Sequence, residues 1–245
     1  MRRALLFYLL AFLPLAVSAQ VGEHRSELAV GFSGGYTMST IGFTPEVPQS
    51  QHGGMTGGFT VRYTSEKYFN SICAIVGEVN YAQVGWKESI LDADDQPVIN
   101  SVTGMAEAYQ RDMVYIQVPV FARMGWGRER KGVQFFVQAG PQVGVFLSDK
   151  TKKNYNVSER PFGVQAQDTM AVENKFDYGI TAGGGIELSF PKVGHFILEG
   201  RYYYGLGDIY GNSKRDFFAR SNFQNITVKL TYLFDIARTR NPKIK

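Results

Sequence analysis

A single cysteine, Cys73, means that no internal disulfide can hold this chain together. Only three histidines occur, His24, His52 and His195, which leaves little material for metal or acid–base chemistry. Beyond the first twenty residues no window approaches the roughly 20 consecutive apolar residues that a transmembrane helix needs. The formal charge is only +4, and no segment gathers Lys and Arg into a nucleic-acid footprint. No nucleic-acid partner, cofactor or metal is therefore expected. The run Asp92, Asp94, Asp95 lacks the twelve-residue pattern of a calcium loop and reads as a solvated turn.

What the chain does have begins at its start. "MRRALLFYLLAFLPLAVSAQ" joins Arg2 and Arg3 to an apolar stretch and then to small residues, the three parts of a secretory signal. Residues 1–19 are expected to be that signal, 20–236 one domain, and 237–245 a basic tail. Glycine, tyrosine and phenylalanine are plentiful, as suits an exported β protein.

Strict alternation then dominates. In "YGITAGGGIELSF", Tyr178 to Phe190, one register is apolar and the other reads Gly179, Thr181, Gly183, Gly185, Glu187, Ser189. That is a strand with one face in an apolar medium. Eight such segments emerge, approximately 27–36, 55–63, 72–84, 114–124, 133–147, 178–190, 195–204 and 225–234. Their apolar register collects Phe32, Phe59, Ile75, Val120, Phe135, Leu198 and Leu230, with aromatics toward the ends. The opposite register holds Arg62, Glu78, Arg123, Glu187, Glu199, Arg201 and Lys229. Such charges cannot sit in a dry core unless paired, but they can pair across a narrow lumen. Connections alternate between long and short, and the strand count is even. The expected fold is therefore all-β, an eight-stranded antiparallel up-and-down transmembrane β-barrel. The final strand, "TVKLTYLF", offers Thr227, Tyr232 and Phe234 as a signal for the machinery that inserts such barrels.

The landmarks "GFSGGYTMS", "GEVNYAQVGW", "YIQVPVFARMGW", "FFVQAGPQVGVFLS", "DYGITAGGGIEL" and "LEGRYYYGLGDI", in that order, resemble the PorT-like outer-membrane β-barrel family of the Bacteroidetes type. The resemblance spans nearly the whole chain after the signal. It implies a barrel in the outer membrane of a Gram-negative bacterium, with both termini in the periplasm and four long loops at the cell surface. It also connects the chain with type IX protein secretion.

Catalysis is not expected, because no Ser and acid stand at spacings that would orient a histidine as base. His195 reads as an interfacial polar residue at a strand start. Two functions fit: an accessory or scaffold component of an envelope complex, and a narrow small-solute channel. Expected partners are outer-membrane lipid, the barrel-assembly machinery during insertion, and other envelope proteins.

Overall fold

The computed structural model describes residues 23–68, 71–92, 94–128, 131–156, 169–211 and 218–238. The expected signal at 1–19 and residues 239–245 of the expected tail lie outside them. The long strands are β1 (Glu23–Thr44), β3 (His52–Tyr68), β4 (Ser71–Ser89), β5 (Ala108–Gly127), β6 (Gly132–Lys153), β7 (Phe176–Phe190), β8 (Gly194–Gly205) and β9 (Arg220–Arg238). A two-residue β2 (Gln49–Ser50) adds to the top of β4. Each long strand pairs antiparallel with its chain neighbour. β9 returns to β1 over Glu27–Thr44, so the ring closes and leaves no edge. All eight expected segments are present as strands.

The alternation has a direct physical consequence. Phe32, Phe59, Ile75, Val79, Val120, Phe135, Ile180, Leu198 and Leu230 point outward and stay exposed. No water-soluble surface carries apolar residues so continuously, and lipid is the medium that accepts them. On β5 the outward apolar stripe runs from Val114 to Trp126. Twelve steps of about 3.3 Å at a tilt near 45° cover about 28 Å, close to the hydrocarbon thickness of a bilayer. One end of the barrel carries the tight turns, such as Pro191–Val193. The other carries the described parts of the longer connections, 90–92, 94–107, 154–156, 169–175, 206–211 and 218–219.

Most strands run further than the alternation suggested, chiefly toward the long-loop end. β1 continues to Thr44 rather than Tyr36, and β5 begins at Ala108 rather than Val114. Above the lipid belt the medium outside is water, so the pattern inverts. From the upper rim of the belt upward, Ile41, Phe43, Val84, Trp86, Tyr109, Met113, Tyr115, Tyr203 and Phe223 point inward and form an aromatic core across the barrel mouth. Ile209, Tyr210 and Phe218, between β8 and β9, join that core; the rings of Phe43 and Phe218 lie 4.4 Å apart. A smaller apolar cluster, Ala29, Phe136, Ile197 and Leu233, packs inside toward the short-turn end.

Candidate functional site

The interior of the belt is polar, and its charges form two tiers. In the lower tier, nearer the short turns, Arg62 of β3 donates to both oxygens of Glu187 on β7 at 2.7 and 2.8 Å. Arg123 of β5 reaches the same carboxylate at 2.6 Å, and its Cζ sits over Phe136, 3.4 Å from the ring centre. In the upper tier, Arg201 of β8 spans the lumen to both oxygens of Glu78 on β4, at 2.7 and 2.5 Å. It also pairs with Glu199 at 2.5 Å. Lys229 of β9 donates to Glu78 at 2.8 Å and to Asn80 at 2.9 Å, while Gln138 donates to Glu199 at 2.8 Å. The seven charges expected in the lumen are thus all buried, and each has a partner of opposite sign. In the upper tier two carboxylates face two cations, so its formal charge cancels.

Glycine makes room for these long side chains. A Cβ at Gly183 would meet Arg201 Cα at 2.9 Å, and one at Gly185 would meet the Phe136 ring at 2.9 Å and the Leu198 carbonyl at 2.1 Å. The glycine stripe of β7 is the space that the neighbouring arginine and phenylalanine fill. Two small voids border the tiers among the described residues. A void bordered by Arg62, Arg123 and Glu187 measures about 10 Å³, and one bordered by Asn80, Arg201 and Lys229 about 20 Å³. Each is about the size of one water molecule.

Above both tiers Arg111 of β5 anchors the loops to the wall. It reaches Asp149 at 2.6 Å, donates to the Met170 carbonyl at 2.6 Å and to the Tyr210 hydroxyl at 3.0 Å, and lies 5.7 Å from the Trp86 ring centre. The structure therefore presents a closed, outward-apolar, inward-ionic barrel under a buried aromatic lid. A sequence model of the outer membrane protein beta-barrel domain matches residues 18–211.

The chain belongs to that family.

Outer-membrane localisation follows from membership. Solved structures with the same architecture include the attachment invasion locus protein Ail of Yersinia pestis, at 15% identity with a TM-score of 0.35, covering 86% of this chain and 99% of that one. Neisserial surface protein A shows 9% identity and a TM-score of 0.44 over 86% of this chain and 100% of its own. OprG of Pseudomonas aeruginosa shows 9% identity and 0.40 over 88% and 97%. No curated protein matches the chain significantly.

As a member of the outer-membrane barrel family the chain holds one cluster that its sequence concealed. His195 is not an interfacial residue but a buried one, 2% exposed. Its Nδ1 lies 2.8 Å from Ser189 Oγ and 2.8 Å from Glu187 Oε1; its Nε2 lies 3.1 Å from Asp235 Oδ1 and 3.5 Å from Glu27 Oε1. Ser189, His195 and Asp235 thus meet in the order of a hydrolase triad. Ionised carboxylates only accept hydrogen bonds, so with one at each nitrogen both ring nitrogens donate. No lone pair is left to take a proton from Ser189, which is itself 2% exposed. Glu27, His195 and Asp235 also bring ligand-type atoms within 4.8 Å of one another. Arg62 and Arg238, each 3.7 Å from Glu27, already compensate those carboxylates. The cluster is an ion-pair floor that joins β1, β7, β8 and β9.

Signals for this floor existed in the sequence. Glu27 opens the inward register of the first segment, and Asp235 continues that of the last segment by one residue. The other singled-out residues take simpler places. Tyr232 and Phe234 face lipid opposite Phe32 and Val30 of β1, and Thr227 meets Thr37 hydroxyl to hydroxyl at 3.1 Å. β9 runs on to Arg238, so Phe234 is not its last residue. The Asp92 carboxylate accepts the N–H groups of Asp94 and Gln96 at 2.9 Å, closing its own turn.

Proposed function

We infer that this barrel is a non-enzymatic accessory component of an envelope complex, with its long loops at the cell surface and its termini in the periplasm. The observation that carries this reading is the closed lumen. Paired charges fill the belt, and an aromatic core that includes Ile209, Tyr210 and Phe218 covers one mouth. A barrel filled in this way offers other proteins its loops and outer wall rather than a passage. Loops fixed to the wall by Arg111 form a preorganised surface, which lowers the ordering cost of binding. The resemblance to PorT points to protein export of type IX as the setting. A narrow solute channel is the second reading. It draws on the polar voids in both tiers and requires the aromatic lid to part.

Mild-detergent purification of the full chain from native membranes, with bound proteins identified by mass spectrometry, tests the first reading. A stoichiometric envelope partner supports it, and secretion components among those partners support the export setting. Recovery of the barrel alone, together with discrete conductance steps in planar bilayers, overturns it in favour of the channel.

A further inference from the structure

The outer wall is not equivalent around the ring. Just above the lipid belt, Lys87 of β4 and Lys152 of β6 flank Gln110 of β5 in one cross-strand row. Lys150 stands opposite Asp112 in the row beneath. All three lysines are exposed, and Asp112 is the one acid interleaved with them, paired to Lys152 at 2.8 Å. Lys175 continues the cationic sector beside Phe146, whose N–H donates to the Lys175 carbonyl at 2.8 Å. At comparable height on β9, β1 and β3 the outward positions are Gln224, Thr40, Gly42 and Gly53, all uncharged. Arg220, higher on β9, is engaged by the Tyr204 hydroxyl at 2.9 Å.

Lys175 also borders a groove of about 460 Å³. Its lower wall is Phe176, Tyr178 and Leu206, each about half exposed and continuous with the lipid-facing stripe of β7. Its upper wall carries Glu173, Asn174 and Asp208. The groove is built rather than incidental. Asn174 donates to the carbonyls of Asp208 and Tyr210 at 2.8 and 3.2 Å, and Leu206 N–H donates to the Tyr178 carbonyl at 2.8 Å. Apolar surface below, hydrogen-bonding groups above and ammonium groups alongside match a ligand with acyl chains, sugar hydroxyls and phosphate. Ammonium groups are effective phosphate partners, and their attraction is strongest at a membrane surface.

We propose that the β4–β7 sector, from Lys87 to the groove at Lys175, seats the headgroup of a phosphorylated glycolipid of the outer leaflet. This rests on the orientation given above, with the long loops at the cell surface. The lower stripe meets the acyl chains, the carboxylates of the groove and the Asn174 side-chain oxygen accept from sugar hydroxyls, and the lysines take the phosphates.

The test reconstitutes the full chain in phosphatidylcholine nanodiscs doped with a bis-phosphorylated glycolipid or with its dephosphorylated form. Native mass spectrometry then reads the lipid retained after detergent extraction. Wild type is expected to retain the phosphorylated lipid at least ten-fold better. The variant K87Q/K150Q/K152Q/K175Q should lose that preference, while K131Q/K192Q at the short-turn end keeps it. Gel mobility of unheated samples verifies that each variant is folded. Equal retention of both lipids by wild type, undiminished retention by the quadruple variant, or displacement of the lipid by millimolar inorganic phosphate overturns the proposal. Orientation is read separately, by labelling a Val102→Cys variant in a Cys73→Ser background on intact cells with an impermeant maleimide. Reversed orientation would abolish that labelling and leave nanodisc binding unchanged.

Discussion

Replacing Glu78 by Gln removes one negative charge from the upper tier and changes almost nothing in volume. Glu78 accepts from Arg201 at 2.7 and 2.5 Å, from Lys229 at 2.8 Å and from Asn80 at 2.9 Å. The tier of Glu78, Glu199, Arg201 and Lys229 then goes from zero to a net of one positive charge, and Lys229 loses its close carboxylate and keeps neutral amide oxygens. Lys229 and Glu78 side chains are each 1% exposed, so water cannot replace what is lost. Breaking a buried pair on one side typically costs about 3–5 kcal/mol. For a domain of this size that corresponds to a fall of roughly 6–20 °C in melting temperature. Adding Lys229→Met restores neutrality and leaves Arg201 with Glu199. The double variant should therefore recover at least about 1.5 kcal/mol relative to the sum of the two single losses. Urea unfolding in lipid vesicles, followed by tryptophan fluorescence and by the mobility of unheated samples on gels, gives both quantities. A Glu78→Gln variant within about 0.5 kcal/mol of wild type, or strictly additive single effects, would refute the view that the tier acts as one balanced unit.

Three further outcomes follow from the same geometry. Arg111→Ala should leave the barrel folded but raise amide exchange around Met170 and Tyr210 at least ten-fold, since about 1.5–3 kcal/mol rests on each charge-assisted bond removed; unchanged exchange would show that the aromatic core alone holds the loops. Gly185→Val should cost about 1–3 kcal/mol because its side chain would collide with Phe136 and the Leu198 carbonyl. Gly200→Val, where a Cβ meets nothing within 4 Å, should be near neutral, and equal losses at both sites would contradict the packing account. Burial alone would raise the Asp112 carboxyl, but hydrogen bonds from Lys152, Gln110 and His52 bring it down to about 2. A depressed folded value means that the contact is intact above the ordinary aspartate value of about 3.9 and is lost as pH falls toward 2. An NMR titration of the Asp112 carboxyl with a midpoint at or above 3.8 would exclude that clasp.

How much of this was legible depended on which medium bordered each stretch. Where lipid lies outside and a polar lumen inside, residues such as Leu198, Glu199 and Arg201 alternate cleanly, and every belt strand could be placed. Above the belt the rule reverses, so Trp86, Tyr109 and Phe43 read as loop residues although they form the aromatic core. The charged side chains of the lumen could be named from parity alone. Their partners could not, because Arg62 and Glu187 meet across 125 residues of sequence through ring closure. His195 was misjudged for a related reason. Parity places Glu27 and Asp235 on the inward register, but it does not tell that four strands bring them and Glu187 to His195.

The inversion along each strand has a consequence for assembly. A slip of one residue in β9 would aim Lys229 at acyl chains and Leu230 at Glu78. A slide of two residues would keep every side chain on its proper face, yet move Lys229 about 7 Å along the strand and away from Glu78. It would also push the rings of the lid down into the ionic tiers. Each strand thus carries a lengthwise address as well as an inside and an outside. Only one stagger among eight strands satisfies all the addresses together, so a wrongly threaded ring betrays itself before it closes.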